Sequence, residues 1–371
     1  METPQEQPEE IVRAECISAG DANGLAVQKS PHPRRRRIIL PIALFLATYF
    51  TTFLAGCAGW NPWHTPLTVR LPSFPEVQMS IRVEPGDTYV DEKGQAKTAQ
   101  RAGIVLASWR DGLRYNWKNG VLYMVWVMAI LLFHEMGHFL MTLKYKIPAS
   151  LPFFIPIPNV FGTFGAVIGM NPNQANRKEV FDIGIAGPLA GLVVTIPLLF
   201  YGLSVAEPTP ERPEARGYGD PLLVKLLIPI LHDIDEVKKE YAQKNNDPSA
   251  LEKPFTFVVN PIYMAAWVGM FITAVNMFPV KQLDGGHVAY ALFGQRAHML
   301  GRLVILGAIV FITISGYWLW TLMIILVIFM PDHPPTVDDR VKLGPWRYAL
   351  GLFSLLIPIF CFTPFPFINL Y

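Results

Sequence analysis

The residues best suited to chemistry form one short pentapeptide: His134, Glu135, Met136, Gly137 and His138. In an α-helix, residues four apart lie on the same face, so both imidazoles can bind a single Zn²⁺ ion. The Glu135 carboxylate then lies beside the metal, where it can take a proton from a metal-bound water molecule. This spacing predicts a catalytic zinc site that takes a third ligand from elsewhere in the chain.

The pentapeptide lies inside the apolar run 121–143, which is long enough to span a bilayer as a helix. Ionisable side chains at membrane depth are costly and mark functional sites by default. The alternative interpretation is a polar patch at a helix interface, and the His-Glu-x-x-His spacing disfavours it.

A third ligand is expected in the segment 276–287, which begins at Asn276 and ends at His287. Asp284 follows the apolar run 263–280, and the next two residues are glycines that permit close backbone approach. Asp284 is the candidate ligand, although Asp-Gly-Gly is also typical of a plain turn at a membrane boundary. His287 either assists at the metal centre or is an ordinary polar residue at a helix end.

The composition is that of a membrane protein. Of the 371 residues, 51% are hydrophobic and 16% are charged, against about 25% charged in a typical soluble domain. The net charge is +2 and the cations flank apolar runs, which excludes a nucleic-acid-binding face. The three cysteines are too scattered for a disulfide framework or a thiolate zinc cluster. Any metal must therefore use histidine and carboxylate ligands.

The apolar runs predict an all-α polytopic membrane protein with about six to seven transmembrane helices. The runs are 38–58, 121–143, 183–203, 263–280, 303–330 and 346–362. The run 303–330 is either one long helix or two short helices broken at Gly316. The segment 151–169 is apolar but rich in proline and glycine, so it predicts a re-entrant β-hairpin on the cytoplasmic side.

These elements predict a linear organisation along the chain. Its parts are a disordered cytoplasmic tail (1–37), a first transmembrane helix (38–59), a small extracytoplasmic insert with strands (60–120), a catalytic membrane core (121–293) and C-terminal transmembrane helices (294–371). Four arginines at 34–37 favour a cytoplasmic N-terminus. The residues 54–57 also fit a lipoprotein cleavage box, but the preceding leader would be unusually long.

The two motifs together resemble the site-2 protease family, peptidase family M50, whose members are intramembrane zinc metalloproteases. The resemblance covers about 121–290 and rests on the pentapeptide and on a second set of matching residues: Asn276, Pro279, Leu283, Asp284 and Gly285. It implies that His134, His138 and Asp284 bind one Zn²⁺ ion per chain. It further implies that Glu135 is the catalytic base and that Asn276 holds substrate.

Two further features extend the resemblance. Gly162 and Gly165 match the family's glycine-rich hairpin, which implies substrate binding there. The first span and the segment 332–335 resemble the bacterial and plastid branch that lacks PDZ domains, and this favours a multi-pass protein of the bacterial inner membrane. His333, next to two prolines in that segment, is interpreted as a loop residue.

The implied activity is that of a zinc metalloendopeptidase. Its substrates would be membrane proteins cut within or near a transmembrane segment in the lipid bilayer, as in regulated intramembrane proteolysis. A prenyl-protein-type protease would need a glutamate-bearing third-ligand motif in place of Asp284. A zinc transporter or a zinc-binding scaffold is the alternative from another functional class, and Glu135, which simple zinc binding does not require, argues against it.

Overall fold

The computed structural model describes residues 38–60, 78–83, 86, 88–91, 95–100, 103–170, 172–210 and 217–368. The predicted tail at 1–37 and part of the predicted insert lie outside these ranges. The described chain is mostly helical, with short antiparallel strand pairs between the helices.

The α-helices of the described ranges are α1 (Ile39–Cys57), α2 (Trp109–Lys144), α3 (Arg177–Ser204), α4 (Leu222–Leu231), α5 (Ile234–Asn245), α6 (Pro261–Asn276), α7 (Asp284–Phe293), α8 (Arg296–Ser315), α9 (Thr321–Phe329), α10 (Pro345–Ser354) and α11 (Ile357–Cys361). The strands are β1 (Gln78–Val83), β2 (Thr88–Val90), β3 (Ala96–Thr98), β4 (Gly103–Ser108), β5 (Phe153–Pro156), β6 (Thr163–Val167), β7 (Pro208–Pro210), β8 (Gly217–Tyr218), β9 (Phe255–Phe257) and β10 (Phe367–Ile368). The strands pair as β1–β4, β2–β3, β5–β6, β7–β9 and β8–β10.

Four helices are long and apolar enough to cross a membrane: Ile39–Cys57, Leu113–Lys144, Arg177–Ser204 and Arg296–Ser315. Four shorter apolar segments accompany them: Leu222–Leu231, Pro261–Asn276, Trp318–Phe329 and Pro345–Cys361. These helices confirm the prediction of a mostly helical, multi-pass membrane protein. The total of six to seven spans stays a prediction, because the shorter segments alone are below the usual spanning length.

The second helix is longer than its apolar run. It begins at Trp109, directly after β4, and has 36 residues, which corresponds to about 54 Å. The hydrocarbon core of a bilayer is about 30 Å thick. The first turns of α2 therefore extend beyond the predicted span, toward the strand pairs of the insert.

The run 303–330 forms two helices, so the second of the two sequence interpretations holds. Gly316 ends α8 with a positive φ of 67°, a conformation that glycine adopts without strain. After a short 3₁₀ turn, α9 packs beside α8, where Ile324 joins a buried cluster with Ile312 and Trp320.

The core lies where α2, α3 and α6 pack together. Its fully buried side chains include Tyr123 and Leu131 of α2, Leu199 of α3, and Trp267 and Met270 of α6. The three helices pack pairwise against one another, and this packing fixes the position of α2 in the bundle. The pentapeptide is therefore held rigidly inside the bundle.

The predicted hairpin is formed by β5 and β6, with Phe153 opposite Val167 and Phe154 opposite Ala166. At the tip, the Asn159 carboxamide oxygen accepts hydrogen bonds from the backbone N–H groups of Phe161 and Gly162. The tip rests on α1, where the Thr51 hydroxyl donates to the Gly162 carbonyl at 2.5 Å. The first helix therefore holds the hairpin at a fixed position beside the core.

Candidate metal centre

Helix α2 presents both histidines of the pentapeptide on one buried face. His134 is 3% exposed and His138 is 4% exposed, and their Nε2 atoms lie 3.3 Å apart. The four-residue spacing produces this pairing by helical periodicity alone.

Asp284, the first residue of α7, is brought to the two histidines by the segment 277–283, here called the motif turn. Its Oδ2 atom lies 3.1 Å from His134 Nε2 and 3.3 Å from His138 Nε2. The two following glycines make this possible: a Cβ on Gly285 would lie 2.1 Å from the Met277 carbonyl oxygen. Close approach of α7 to the motif turn thus requires glycine, as the sequence indicated.

The three donor atoms fit a zinc ion. Two imidazole nitrogens and one carboxylate oxygen are ligands that zinc prefers, with bonds of about 2.0–2.2 Å in tetrahedral geometry. In such a tetrahedron, neighbouring donors are separated by about 3.3 Å. The observed separations of 3.1, 3.3 and 3.3 Å match three of its corners.

Glycines of helix α3 leave space for the two histidine rings, and a backbone carbonyl of α3 orients one of the rings. A Cβ on Gly187 would lie 2.0 Å from His138 Nε2, and one on Gly191 would lie 3.2 Å from His134 Nδ1. His138 Nδ1 lies 2.7 Å from the Ile183 carbonyl oxygen. Because a carbonyl only accepts, Nδ1 carries the proton and Nε2 is left with a lone pair for a metal.

Glu135 lies next to His134 and is 3% exposed. Its Oε2 atom is buried and has no hydrogen-bond partner among the described residues. Buried carboxylate oxygens are normally hydrogen-bonded, so an unpaired oxygen beside a metal-binding cluster is typical of a group that acts on a bound water or substrate.

Two other candidate site residues, Asn276 and His287, lie on the elements next to the motif turn. Asn276 is the last residue of α6 and is half-buried at the start of the motif turn. His287 is one turn beyond Asp284 on α7, and its Nδ1 atom is buried without a partner among the described residues. Its Cβ lies 2.9 Å from the Cβ position that a side chain on Gly184 would occupy, so α3 also packs against this histidine.

The two hairpin glycines differ in their surroundings. Gly162 has a φ of 77°, and a Cβ there would lie 2.5 Å from the Thr51 carbonyl oxygen, so it packs tightly on α1. Gly165 has a φ of 98° and would meet no neighbour within 4 Å. Gly165 is itself buried, but only there would an added side chain meet free space.

His333 lies in a segment without helix or strand, as predicted, yet it is 3% exposed. Its ring stacks on Tyr290 at 4.2 Å and meets the His287 ring edge-on at 4.8 Å. The segment 331–344, here called the strap, therefore lies over α7 beside the cluster. An isolated His-Pro-Pro sequence gives no sign of these long-range contacts.

A partly buried ion pair near the start of α3 was not found by sequence reasoning. Arg347 donates two hydrogen bonds to Asp182, at 2.7 and 2.9 Å, and the Tyr145 hydroxyl donates to the same carboxylate at 2.5 Å. Burial and the Asp182 carboxylate raise the pKa of Tyr145 to about 12, so this hydroxyl stays protonated. The three residues are far apart in the chain, and no local motif marks them.

The chain was compared with known proteins. Residues 122–315 match the family described as peptidase family M50. Similar proteins include "Probable zinc metalloprotease EGY1, chloroplastic" of Arabidopsis thaliana, 31% identical over 249 residues, which are 64% of this chain and 42% of that protein. Another is "Probable zinc metalloprotease EGY2, chloroplastic" of the same plant, 26% identical over 264 residues, 70% of this chain and 43% of that protein.

The chain spans less than half the length of these relatives. The matched region nevertheless extends over more than half of this chain and contains the pentapeptide, the motif turn and Asp284. On this match, the chain is a member of peptidase family M50.

Proposed function

We propose that this protein is an intramembrane zinc metalloprotease that hydrolyses a peptide bond within or near a transmembrane segment of membrane-protein substrates. The observation that carries the proposal is the buried group of His134, His138 and Asp284 with an unpaired Glu135 carboxylate beside it. Zinc binding explains the first three residues, and hydrolysis explains the fourth.

His134, His138 and Asp284 are the proposed ligands of one zinc ion. Bound there, zinc supplies a Lewis acid and lowers the pKa of bound water. The Ile183 carbonyl keeps the His138 tautomer that binds metal, and the glycines of α3 keep both rings in place. The bundle excludes bulk water from most of the site, which strengthens its electrostatic interactions.

Glu135 is the proposed general base. Its carboxylate takes a proton from the attacking water and then delivers that proton to the leaving amine nitrogen. Asn276 begins the motif turn and His287 lies one turn beyond Asp284. Both are proposed to contact the substrate backbone, Asn276 through its carboxamide and His287 through its unpaired nitrogen.

The hairpin is proposed to hold the substrate in an extended form. A peptide bond inside a helix is shielded by the surrounding turns, so the substrate has to unwind before hydrolysis. In strand β6 the Phe164 side chain is 55% exposed, and a side chain at the neighbouring Gly165 would meet no neighbour. The edge of this strand is suited to pairing with an extended segment by β-augmentation. Gly162 is proposed to support this binding indirectly, because it lets the hairpin tip pack closely against α1.

We further propose how the chain is placed in the membrane. The shorter apolar helices complete six to seven spans when they are joined to neighbouring irregular segments, such as α6 with the motif turn. The bacterial inner membrane with a cytoplasmic N-terminus is the proposed location, while the relatives carry the word chloroplastic in their names.

The proposal is tested in cells of the source organism. Membrane proteomes are compared among a deletion strain, a strain with the wild-type chain and a strain with Glu135→Gln. We expect the same single-span membrane fragments to accumulate in the deletion and Glu135→Gln strains only. Equal fragment levels in all three strains would contradict proteolysis.

A zinc transporter is the competing function, and it makes a different prediction. Purified full-length protein is reconstituted in proteoliposomes, and zinc influx is followed with an internal fluorescent indicator. We expect no flux above that of empty vesicles. Flux that survives Glu135→Gln, without accumulated fragments in the cells, would favour the transporter.

A further inference from the structure

An apolar cavity of about 340 Å³ lies between the motif turn and helices α8 and α9. The motif turn contributes Val280 and Leu283, and α8 contributes Ile305 and Ala308. All side chains that line it are apolar or aromatic, so water is a poor occupant because it would find too few polar partners.

Gly307 of α8 enlarges this cavity. It lies in the middle of the helix, and a Cβ there would have nothing within 4 Å. Glycine inside a helix destabilises it relative to alanine, and no close helix packing requires glycine at this position. Its effect in the fold is to leave additional open volume beside α8.

The protein surface next to the cavity is apolar. The outward faces of α8 and α9 carry large exposed apolar side chains, among them Leu303, Leu306, Leu322 and Leu326. A helix face of this composition lies against lipid acyl chains. A cavity that opens between such helices is therefore accessible to an acyl chain from the bilayer.

The neighbouring turn of α8 is cationic. A small cleft there is lined by Lys281 of the motif turn, by His298 and Arg302 of α8, and by Asp332 of the strap. Lys281 is paired with Asp332 at 2.7 Å, while Arg302 forms no ion pair with any carboxylate in the part of the chain that the structure describes. Arg302 nevertheless acts electrostatically on Asp332 in the same cleft. The cleft thus presents two cations against one carboxylate, and Arg302 is the cation without a direct ion pair.

The cleft and the cavity follow one another along the same two elements. Gly301 and Arg302 line the cleft, and Val304 and Ile305 line the cavity, a separation of about one helical turn, or 5.4 Å. Arg296, His298 and Arg302 mark this end of α8 as the end at the membrane surface. A cationic surface cleft directly above an apolar cavity has the polarity of a phospholipid.

We propose that the motif turn, α8 and α9 form a binding site for one anionic phospholipid. The phosphate binds Arg302, which offers paired N–H donors, with Lys281 nearby. One acyl chain occupies the apolar cavity and contacts Leu283, the residue that precedes Asp284. Basic pockets at the cytoplasmic ends of membrane helices commonly recognise anionic lipids. The site does not depend on proteolysis.

The test is native mass spectrometry of the full-length chain, released from nanodiscs that contain equal amounts of phosphatidylglycerol and phosphatidylcholine. We expect the wild type to retain one phosphatidylglycerol molecule in clear preference to phosphatidylcholine. Arg302→Gln should bring the ratio of the two retained lipids to about one, because the phosphate loses its charged partner. Arg296→Gln, on the same helix but outside the cleft, is the matched control and should keep the wild-type ratio.

The apolar half is tested by filling it. Gly307→Leu places a side chain in the cavity and should lower retention of either lipid by about tenfold. Leu306→Phe adds bulk to the outward face and should leave retention unchanged. Ala308→Leu is a second filling variant, in case Gly307→Leu does not fold as judged by circular dichroism.

Three results would overturn the lipid site: equal retention of both lipids by the wild type, unchanged retention in a folded filling variant, or a bound apolar peptide in place of lipid. Glu135→Gln should retain lipid like the wild type. The lipid experiment can therefore succeed if the protein proves not to be a protease, and the protease experiment can succeed if no lipid binds here.

Discussion

At the scale of single residues, the metal centre depends as much on missing side chains as on the ligands. His134 and His138 are positioned by their four-residue spacing, but their rings fit only because α3 presents glycine opposite them. The Ile183 carbonyl then selects the metal-binding tautomer of His138. Small residues on one helix thus allow large polar residues on the next to share a buried space.

Gly187→Ala should displace the His138 ring, because the new Cβ would lie 2.0 Å from Nε2. We expect zinc affinity to fall by about 10–100-fold, measured as metal content by inductively coupled plasma mass spectrometry. Gly307→Ala is the matched control, since it also replaces a glycine inside a helix but meets open space. Full zinc content in folded Gly187→Ala would show that α3 does not set the ring position.

Glu135→Gln should separate metal binding from catalysis. Glutamine keeps the size of the side chain but is not a base, so we expect normal zinc content and a loss of cleavage of about 10²–10⁴-fold. Cleavage is measured with a single-span substrate in detergent or liposomes. Retained proteolysis would refute the role of Glu135 as the base.

At the scale of secondary-structure elements, α3 is fixed near its start by a local cap and by an ion pair to a distant segment. Asn176 caps the helix in a capping box with Glu179. The bidentate pair of Arg347 and Asp182 joins the same region to α10, with both side chains partly buried. Because α3 orients His138, this anchoring extends to the metal centre.

Arg347→Gln should lower the free energy of unfolding by about 1.5–3 kcal/mol, the range for hydrogen bonds to charged groups. Thermal denaturation in detergent measures the change. Arg340→Gln removes an exposed arginine from the strap and should be close to neutral. An equal effect of the two substitutions would indicate a general charge effect instead of the specific pair.

The hairpin edge is the second element with a testable role. Phe164 and Gly165 together lie opposite the single residue Ile155, so this part of β6 is a bulge, and a bulge tolerates proline. Phe164→Pro removes one N–H donor and should lower the cleavage rate by about five- to tenfold through one lost hydrogen bond. Phe164→Ala keeps the donor and serves as the control. Unchanged turnover in Phe164→Pro, with zinc retained, would contradict strand pairing at this edge.

At the scale of the whole molecule, the metal centre joins parts of the chain that are 150 residues apart, since His134 lies on α2 and Asp284 on α7. A metal that binds only the folded state stabilises it by mass action. The proposed zinc ion would therefore hold the two helices together, as well as serving catalysis.

Removal of zinc with a chelator should lower the melting temperature of the wild type. At free zinc about 1,000-fold above its dissociation constant, the expected loss is about 4 kcal/mol. Asp284→Ala, which lacks one proposed ligand, should show little response to the same chelator. A wild-type melting temperature that does not respond to chelator would indicate that these residues hold no metal.

Local sequence was sufficient for features that depend on neighbouring residues. Helical periodicity predicted the shared face of His134 and His138, and hydropathy predicted the long apolar helices. Proline and glycine content predicted the hairpin at β5 and β6, and the Asp-Gly-Gly sequence predicted a tight backbone approach. In each case the determining interaction extends over only a few residues.

Several other features depend on segments that are distant in sequence. The break of 303–330 into α8 and α9 stayed open because a glycine permits a helix end without requiring one. The start of α2 at Trp109 lies twelve residues before its apolar run. The segment 109–120 contains glycine, asparagine and aspartate, which are poor helix formers, so packing against other elements overrides the local propensity. The Arg347 pair and the burial of His333 follow from where the strap and α10 return to α3 and α7.

The sequence by itself determined which groups are available for chemistry: two histidines and a glutamate on one helix, an aspartate before two glycines, and few other ionisable groups at membrane depth. Only the tertiary structure decided that these groups meet, with donor separations of 3.1–3.3 Å. The physical reason is the range of the interactions. Backbone hydrogen bonds order residues a few positions apart, whereas packing of α3 between α2 and α7 brings Asp284 to His134.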